Sequence, residues 1–216
     1  MKKIFFFALG LLCLNCTTIQ YDVTTRLVFE GQVNDRQGRA ISNTEVEAWI
    51  KNSRDIDLIG FTTTNSNGHF ELVIPSPKNE TDFEITIKGN SIFSGKKYLN
   101  IYRTDFQDYH FNVGEITLLD LEDISELRIT LNQTNQENTI TDIQVSGVLA
   151  DQTIWVNPVQ EEYPEYYHNS YYKQVAKNQT LNLLYEVRNN TTGQTNQFNE
   201  IINVGSDDTT PYVINY

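Results

Sequence analysis

The chain has 216 residues, with 16 Lys and Arg against 28 Asp and Glu, a formal net charge of −12 at neutral pH. Such a surface repels nucleic acid and anionic lipid, and no basic stripe with interleaved aromatics offsets it, so nucleic-acid binding is set aside. The length supports two domains of ordinary size, each with its own core.

The chain opens with Lys2 and Lys3, an almost unbroken apolar run from Ile4 to Leu14, and then Asn15-Cys16. A helix needs about 20 apolar residues to span a bilayer, so this run reads as an export signal, residues 1–15, that is removed. The order of charge, apolar run and cysteine resembles a bacterial lipoprotein signal, although that class places Leu and a small residue where this chain has Cys13 and Asn15. The resemblance implies acyl chains such as palmitate on Cys16, a short tether over residues 16–26, and anchorage to the outer membrane of a Gram-negative cell envelope. An ordinary secretory signal cleaved nearby is the alternative. Thr17 to Asp22 hold no acidic cluster, which favours the periplasmic face over the cell surface. The two cysteines, Cys13 and Cys16, both lie in the signal region, so no disulfide is expected in the processed protein and the core alone must stabilise it. Processing leaves 14 basic residues against 28 acidic ones.

Beyond the signal, period-two alternation dominates, as expected when successive side chains point to opposite faces of a sheet. Leu27, Phe29 and Val33 alternate with Val28, Glu30 and Gln32; Val46, Ala48 and Ile50 alternate with Glu45, Glu47 and Lys51. Phe70, Leu72 and Ile74 follow, then Phe83, Ile85 and Ile87, then Leu99 and Ile101. Asn34 to Gly38 and Asn65 to Gly68 supply the Asn, Asp and Gly that tight hairpins require. No helical stripe is present outside the signal, though Leu118 to Leu127 has room for a short turn. The fold class predicted is all-β, built as β-sandwiches.

The stretches FEGQVNDRQGRAISNTEVEAW, GFTTTNSNGHFELVIP and FEITIKG together resemble the carboxypeptidase regulatory-like domain. Gly31, Val33, Asp35 and Gly38 match that family's strand and Asp-x-x-Gly turn, and Asn43 and Val46 its next strand. Thr62 to Thr64, Asn67-Gly68 and Phe70 match its Thr-rich strand and turn, and Val113 to Leu118 its closing strand. Ala40 stands where the family usually has Pro, and the connection from Lys88 to Tyr109 is long. The resemblance covers residues 27–118 and implies a transthyretin-like β-sandwich that is an accessory module and not an enzyme.

Residues with catalytic chemistry are sparse. His69, His110 and His168 begin no metallopeptidase pattern, and His69 alternates with Phe70 on a strand that turns it to solvent. No Gly-rich loop opens a helix, no GxSxG elbow occurs, and the spaced acidic pattern of a Ca²⁺ loop is not met. Acidic pairs at Asp55/Asp57, Glu122/Asp123, Glu161/Glu162 and Asp207/Asp208 fit solvated loops. No metal, no cofactor and no catalytic residue is expected.

From residue 119 the chain becomes richer in Asn, Gln and Thr, and alternation resumes at Leu127, Ile129 and Leu131, at Ile143 and Val145, at Ile154 and Val156, at Leu181 to Val187 and at Ile202 and Val204. Residues 119–216 are therefore read as a second sandwich, immunoglobulin- or fibronectin-like, with a β-extension packed on the first domain as the alternative. Within it, Tyr163, Tyr166, Tyr167, Tyr171 and Tyr172, with His168, put five of the twelve tyrosines into ten positions. Tyrosine combines a flat apolar ring with a polar tip, so this segment is the candidate binding loop; the alternative is that its rings pack between domains. The reading that follows is a membrane-anchored, non-catalytic binding module for an envelope protein or polysaccharide. A structural spacer without a specific ligand is the second reading, and a hydrolase a distant third.

Overall fold

The computed structural model describes residues 19–51, 56–79, 81–157 and 169–216. Cys16, Tyr163, Tyr166, Tyr167 and His168 lie outside the described residues. Two all-β sandwiches follow one another along the chain. In the first, β1 (Tyr21–Asp35) lies between β4 (His69–Pro77) and β7 (His110–Leu118). The facing sheet contains β2 (Glu45–Lys51), β3 (Ile56–Thr63), β5 (Asp82–Ile87) and β6 (Lys96–Ile101) in the order β6-β5-β2-β3. The second sandwich packs β11-β8-β14 against β13-β12-β9, with β8 at Ile124–Asn132, β9 at Asn138–Ser146, β11 at Ser170–Ala176, β12 at Gln179–Asn189, β13 at Thr195–Val204 and β14 at Thr209–Asn215.

The two sandwiches share a plan that their sequences do not display. In each, the first strand sits at the centre of a sheet, antiparallel to one neighbour and parallel to the last strand of the unit, as β1 with β7 and β8 with β14. Each has its own core. Leu27, Phe29, Val33, Val46, Ile50, Phe70, Ile74, Phe83 and Ile85 fill the first, and Leu127, Ile129, Leu181, Leu183, Val175 and Ile214 the second. Phe29 anchors the first core, with the rings of Phe83, Phe106 and Phe111 edge-on around it at centroid distances of 5.9, 5.0 and 5.8 Å. Each such pair is worth roughly 0.5–1.5 kcal/mol beyond the area it buries.

Three features depart from the sequence reading. The tether expected over residues 16–26 ends early, because Tyr21 already pairs with Pro77 in β1 and both Ile19 and Tyr21 pack on the first core. Asp22 Oδ1 accepts from the backbone N–H of Thr24 at 2.7 Å and of Thr25 at 3.2 Å. The resulting turn shifts the register between Tyr21 and Arg26 and interrupts the alternation that would have revealed the strand. The two Asn- and Gly-rich turns are not hairpins within one sheet: residues 36–44 and 64–68 each carry the chain from one sheet of the first sandwich to the other. Finally, a three-residue strand, β10 (Thr153–Trp155), leaves the second half and adds in parallel to β6 as the outermost strand of the first sandwich's sheet. Ile154 and Val156, read from sequence as part of the second sandwich, pack instead on the first core. Three residues alternate identically whichever sheet they join, so their partner is not written in them.

The route to β10 ties the units together. Leu149 bridges Val175, and the backbone N–H of Ala176 donates to Val148 O at 2.9 Å. Leu119, Ala150 and Ala176 form a small buried cluster between the two cores, with Ile124 against it. Beyond β10, Asn157 Nδ2 donates to Asn100 O at 2.9 Å and to Asp105 Oδ2 at 2.7 Å. Arg36 Nη1 reaches across to Lys177 O at 2.8 Å.

At the first turn, Asp35 Oδ1 accepts from the N–H of Gln37 and of Arg39, both at 2.9 Å, while Oδ2 pairs with Arg39 Nε at 2.6 Å. Gly38 and Gly68 close the two turns at φ of +77° and +74°. A Cβ at Gly38 would meet nothing within 4 Å, whereas one at Gly68 would lie 2.3 Å from Val33 O. Gly38→Ala is therefore expected to cost about 1–2 kcal/mol, the left-handed conformation alone, and Gly68→Ala upwards of about 3 kcal/mol. Urea unfolding of the two variants checks this; equal losses would contradict the close approach at Gly68.

Candidate binding surface

The tyrosine segment divides. Of its described members, Tyr171 and Tyr172 open β11, where consecutive residues must face opposite ways. Tyr171 is partly buried against the second core. Tyr172 is 55% exposed on the outer face, beside Arg128 in the register of β8, with the guanidinium carbon 5.6 Å from the ring centroid. Glu126 Oε1 accepts from Arg128 Nη2 at 2.6 Å and Nε at 3.2 Å and holds it there. One of the two rings thus serves packing and the other stands on the surface. Tyr171→Ser is expected to cost about 2–3 kcal/mol of stability and Tyr172→Ser less than about 1 kcal/mol. Thermal unfolding of the two variants separates them, and similar losses would contradict the opposed facing.

A larger surface lies on the outer face of the first sandwich's five-stranded sheet. Inward residues of β2 are Val46, Ala48 and Ile50, all fully buried, so Glu47, Trp49 and Lys51 point outward. The register sets Phe61 beside Glu47, Leu58 beside Trp49 and Ile56 beside Lys51. Phe61, Ile56 and Leu58 are 67%, 65% and 40% exposed, an apolar stripe along the edge strand β3. At the opposite edge, Tyr98 points inward, so its β10 partner Ile154 does too and Trp155 is turned out, 52% exposed. Both tryptophans of the chain therefore stand on one face, three strand spacings or about 14 Å apart.

The ground between them is polar and satisfied. Glu47 Oε2 accepts from Trp49 Nε1 at 2.9 Å and pairs with Lys88 Nζ at 2.9 Å. Burial pushes the Glu47 carboxyl up, but the hydrogen bonds from Lys88 and Trp49 outweigh it and hold the group below the ordinary glutamate value. Glu84 Oε1 pairs with Lys97 Nζ at 2.8 Å and accepts from Thr86 Oγ1 at 3.1 Å. Trp49 is thus oriented through its indole N–H, and its apolar face is left toward Leu58. This surface was missed in the sequence because a register shift between Ala48 and Trp49 inserts Ile59 and breaks the alternation of β3. The one local signal was the run Ile56, Leu58, Phe61 between polar residues.

Other ionisable groups serve the fold. His69 and His110 are exposed on β4 and β7. Asp57 accepts from Tyr21 Oη at 2.6 Å, and Asp208 pairs with Lys177 Nζ at 2.6 Å. Glu200 accepts from Tyr185 Oη at 2.8 Å and from Tyr212 Oη, clasping the two sheets of the second sandwich. Burial and Glu200 raise the Tyr185 hydroxyl, and Glu200 raises that of Tyr212 to about 12. Among the described residues no three or more His, Cys, Asp or Glu side chains come together as a metal site, and no helix is long and apolar enough to cross a membrane.

No protein-family model matches the chain, and no curated protein matches it in sequence. Among solved structures, it is similar to the shaft pilin SpaA of Lactobacillus rhamnosus GG, at 8% identity over 88% of this chain and 98% of that one, with a TM-score of 0.35. Similar too are the tip fimbrial protein Mfa3 of Porphyromonas gingivalis, at 8% identity over 82% of each chain and a TM-score of 0.30, and the 3-chlorocatechol 1,2-dioxygenase of Rhodococcus opacus, at 13% identity over 49% of this chain and a TM-score of 0.33. The chain spans 62% of that dioxygenase and 18% of a Cyanothece 9R-lipoxygenase that it also matches. At such scores none of them transfers an activity or a partner.

Proposed function

We propose that this chain is a non-catalytic docking module, tethered to the outer membrane through Cys16, that binds an envelope protein on the outer face of its first sandwich. The observation that carries the reading is the apolar stripe of Ile56, Leu58 and Phe61 with Trp49 and Trp155 around a fully paired polar centre. Contiguous exposed apolar side chains on a soluble fold mark interaction sites, and Trp and aromatic anchors with a satisfied polar surround are what interface hot spots require. A protein suits the stripe better than a polysaccharide, because aliphatic side chains offer sugar hydroxyls no partner. The acidic surface favours a partner that is neutral or basic where it docks.

The non-catalytic part rests on the likeness of residues 27–118 to the carboxypeptidase regulatory-like domain, since that module is an accessory.

Two experiments test the reading in the producing cell. With a photoreactive residue in place of Phe61 or of Trp155, one and the same protein adduct is expected from both positions, and none from Val213, which is exposed on the other sandwich. Absence of adduct at both positions leaves the molecule a spacer, and an identical adduct at Val213 removes the specificity. Separately, a clickable palmitate analogue is expected to label the chain and Cys16→Ser to abolish labelling and release the protein from the membrane pellet. Unchanged labelling and pelleting of that variant would refute the tether. Protection from protease added to intact cells is expected if the chain faces the periplasm.

A further inference from the structure

We infer that β13 of the second sandwich is an open strand edge through which two copies of this chain pair, antiparallel and two-fold, about Ile201. A sheet edge presents unpaired backbone N–H and C=O groups and draws in another strand unless something blocks it. Among the described residues, every other edge strand is blocked. β4 holds Pro75 and Pro77, and β14 holds Pro211. β3, β7 and β9 each carry a register shift against their neighbour, and β10 is three residues long. The outer side of β11 is covered, since Leu149 bridges Val175 and the backbone N–H of Ala150 donates to Gln174 O at 2.9 Å.

β13 has none of these devices. Its ten residues pair with β12 from Gln179↔Val204 to Arg188↔Thr195 without one shift in register, and they include no Pro, Gly, Lys or Arg. The single charge is Glu200, whose carboxylate is turned inward to accept from Tyr185 Oη and Tyr212 Oη. Two apolar side chains stand bare along the strand, Ile201 at 64% and Phe198 at 42% exposure. Phe198 is stacked on Tyr185 with the ring centroids 5.1 Å apart, so this rim is shaped before a partner arrives.

The strand's own sequence selects the occupant. Phe198, Glu200, Ile202 and Val204 share the face of the core residues Tyr185, Leu183 and Leu181, while Asn199, Ile201 and Asn203 point outward. Two antiparallel copies keep these faces only when the two-fold falls on a residue, which leaves few registers. Centring on Glu200 opposes two carboxylates, and centring on Asn199 sets Phe198 against Glu200 and Ile201 against Gln197. Centring on Ile201 sets Ile201 on itself, Phe198 against Val204 of the second copy and Asn199 against Asn203, so the bare apolar chains are covered and amides meet amides. No like charges face each other, which lets two copies of a chain with net charge −12 approach. One strand pair buries less than the roughly 1,200 Å² of stable interfaces, so the contact forms where chains are crowded on a membrane and parts on dilution into detergent. That crowding rests on the tether proposed above; the docking face of the first sandwich takes no part.

The test is disulfide trapping of the full chain in the membranes of the producing cell, with a thiol oxidant and the wild-type chain, which keeps Cys16, as the blank. Ile201→Cys brings two sulfurs together at the two-fold, within the Cα separation of about 7 Å that a disulfide spans. Asn199→Cys and Asn203→Cys are outward on the same strand, yet each lies about 13 Å along the strand from its own copy. Ile201→Cys is expected to give a disulfide-linked homodimer about tenfold stronger than either of them, and Asn199→Cys combined with Asn203→Cys to restore it. Phe61→Ser added to Ile201→Cys is expected to leave the link unchanged, which separates the pairing from the docking reading. The purified chain at high concentration in detergent is expected to give the same pattern without crowding by the tether, so failure of the tether and failure of the pairing are told apart. All three positions are exposed, and melting curves check that the variants fold. No dimer from folded Ile201→Cys, equal dimer from all three single variants, or a linked product that contains another protein would each overturn the assignment.

Discussion

Much of this molecule depends on three residues. Thr153–Trp155 leave the second sandwich, pass over the small cluster of Leu119, Ala150 and Ala176, and hydrogen-bond along β6 of the first. The backbone bonds are few: Lys97 N–H donates to Gln152 O at 2.6 Å and Val156 N–H to Leu99 O at 3.0 Å at either end. They nonetheless bring Ile154 and Val156 into the first core and turn Trp155 outward. An edge that β6 would otherwise expose is covered, and edge strands left open invite unwanted pairing. The same crossing makes the two sandwiches interdependent, because the first sheet is complete only when the second half of the chain has folded near it.

The outer face that this crossing completes is organised by electrostatics as much as by apolar area. Glu47 stands on the solvent side of β2 yet is only 8% exposed, enclosed by the Lys88 chain and the indole of Trp49. A buried carboxylate is tolerable because both its partners are charged or polar donors, and removing either would leave it uncompensated. The pairing has a second effect: it consumes the polar atoms of the face, so that what remains available to a partner is mostly ring and aliphatic carbon.

Strands buried on one face were legible in the sequence, since Val46/Ala48/Ile50, Phe70/Leu72/Ile74 and Phe83/Ile85/Ile87 all alternate without interruption and all face the core. What escaped was set by distant partners or by local irregularity. The start of β1 was hidden by the Asp22 turn, the outward stripe of β3 by the bulge at Ile59, and the allegiance of β10 by its shortness. Turn chemistry at Asp35–Gly38 and Asn65–Gly68 was readable, but its destination was not, because the same Asn and Gly serve a hairpin and a crossing between sheets. The tyrosine segment offered one inference that alternation already contained: adjacent Tyr171 and Tyr172 on a strand cannot share a face.

The claim that joins these points is that β10 completes a protein-docking face. Native electrophoresis of the chain, solubilised from its own membrane, tests it most directly when wild type is compared with Ile154→Pro. Proline at that position removes a strand N–H and withdraws Ile154 from the rim of the first core, so it detaches β10, and circular dichroism and the melting curve of the variant report whether the sandwiches remain folded. The account expects wild type to migrate as a complex larger than the monomer and Ile154→Pro to migrate as a folded monomer. A variant that keeps the complex, or a wild type that migrates alone, would contradict it.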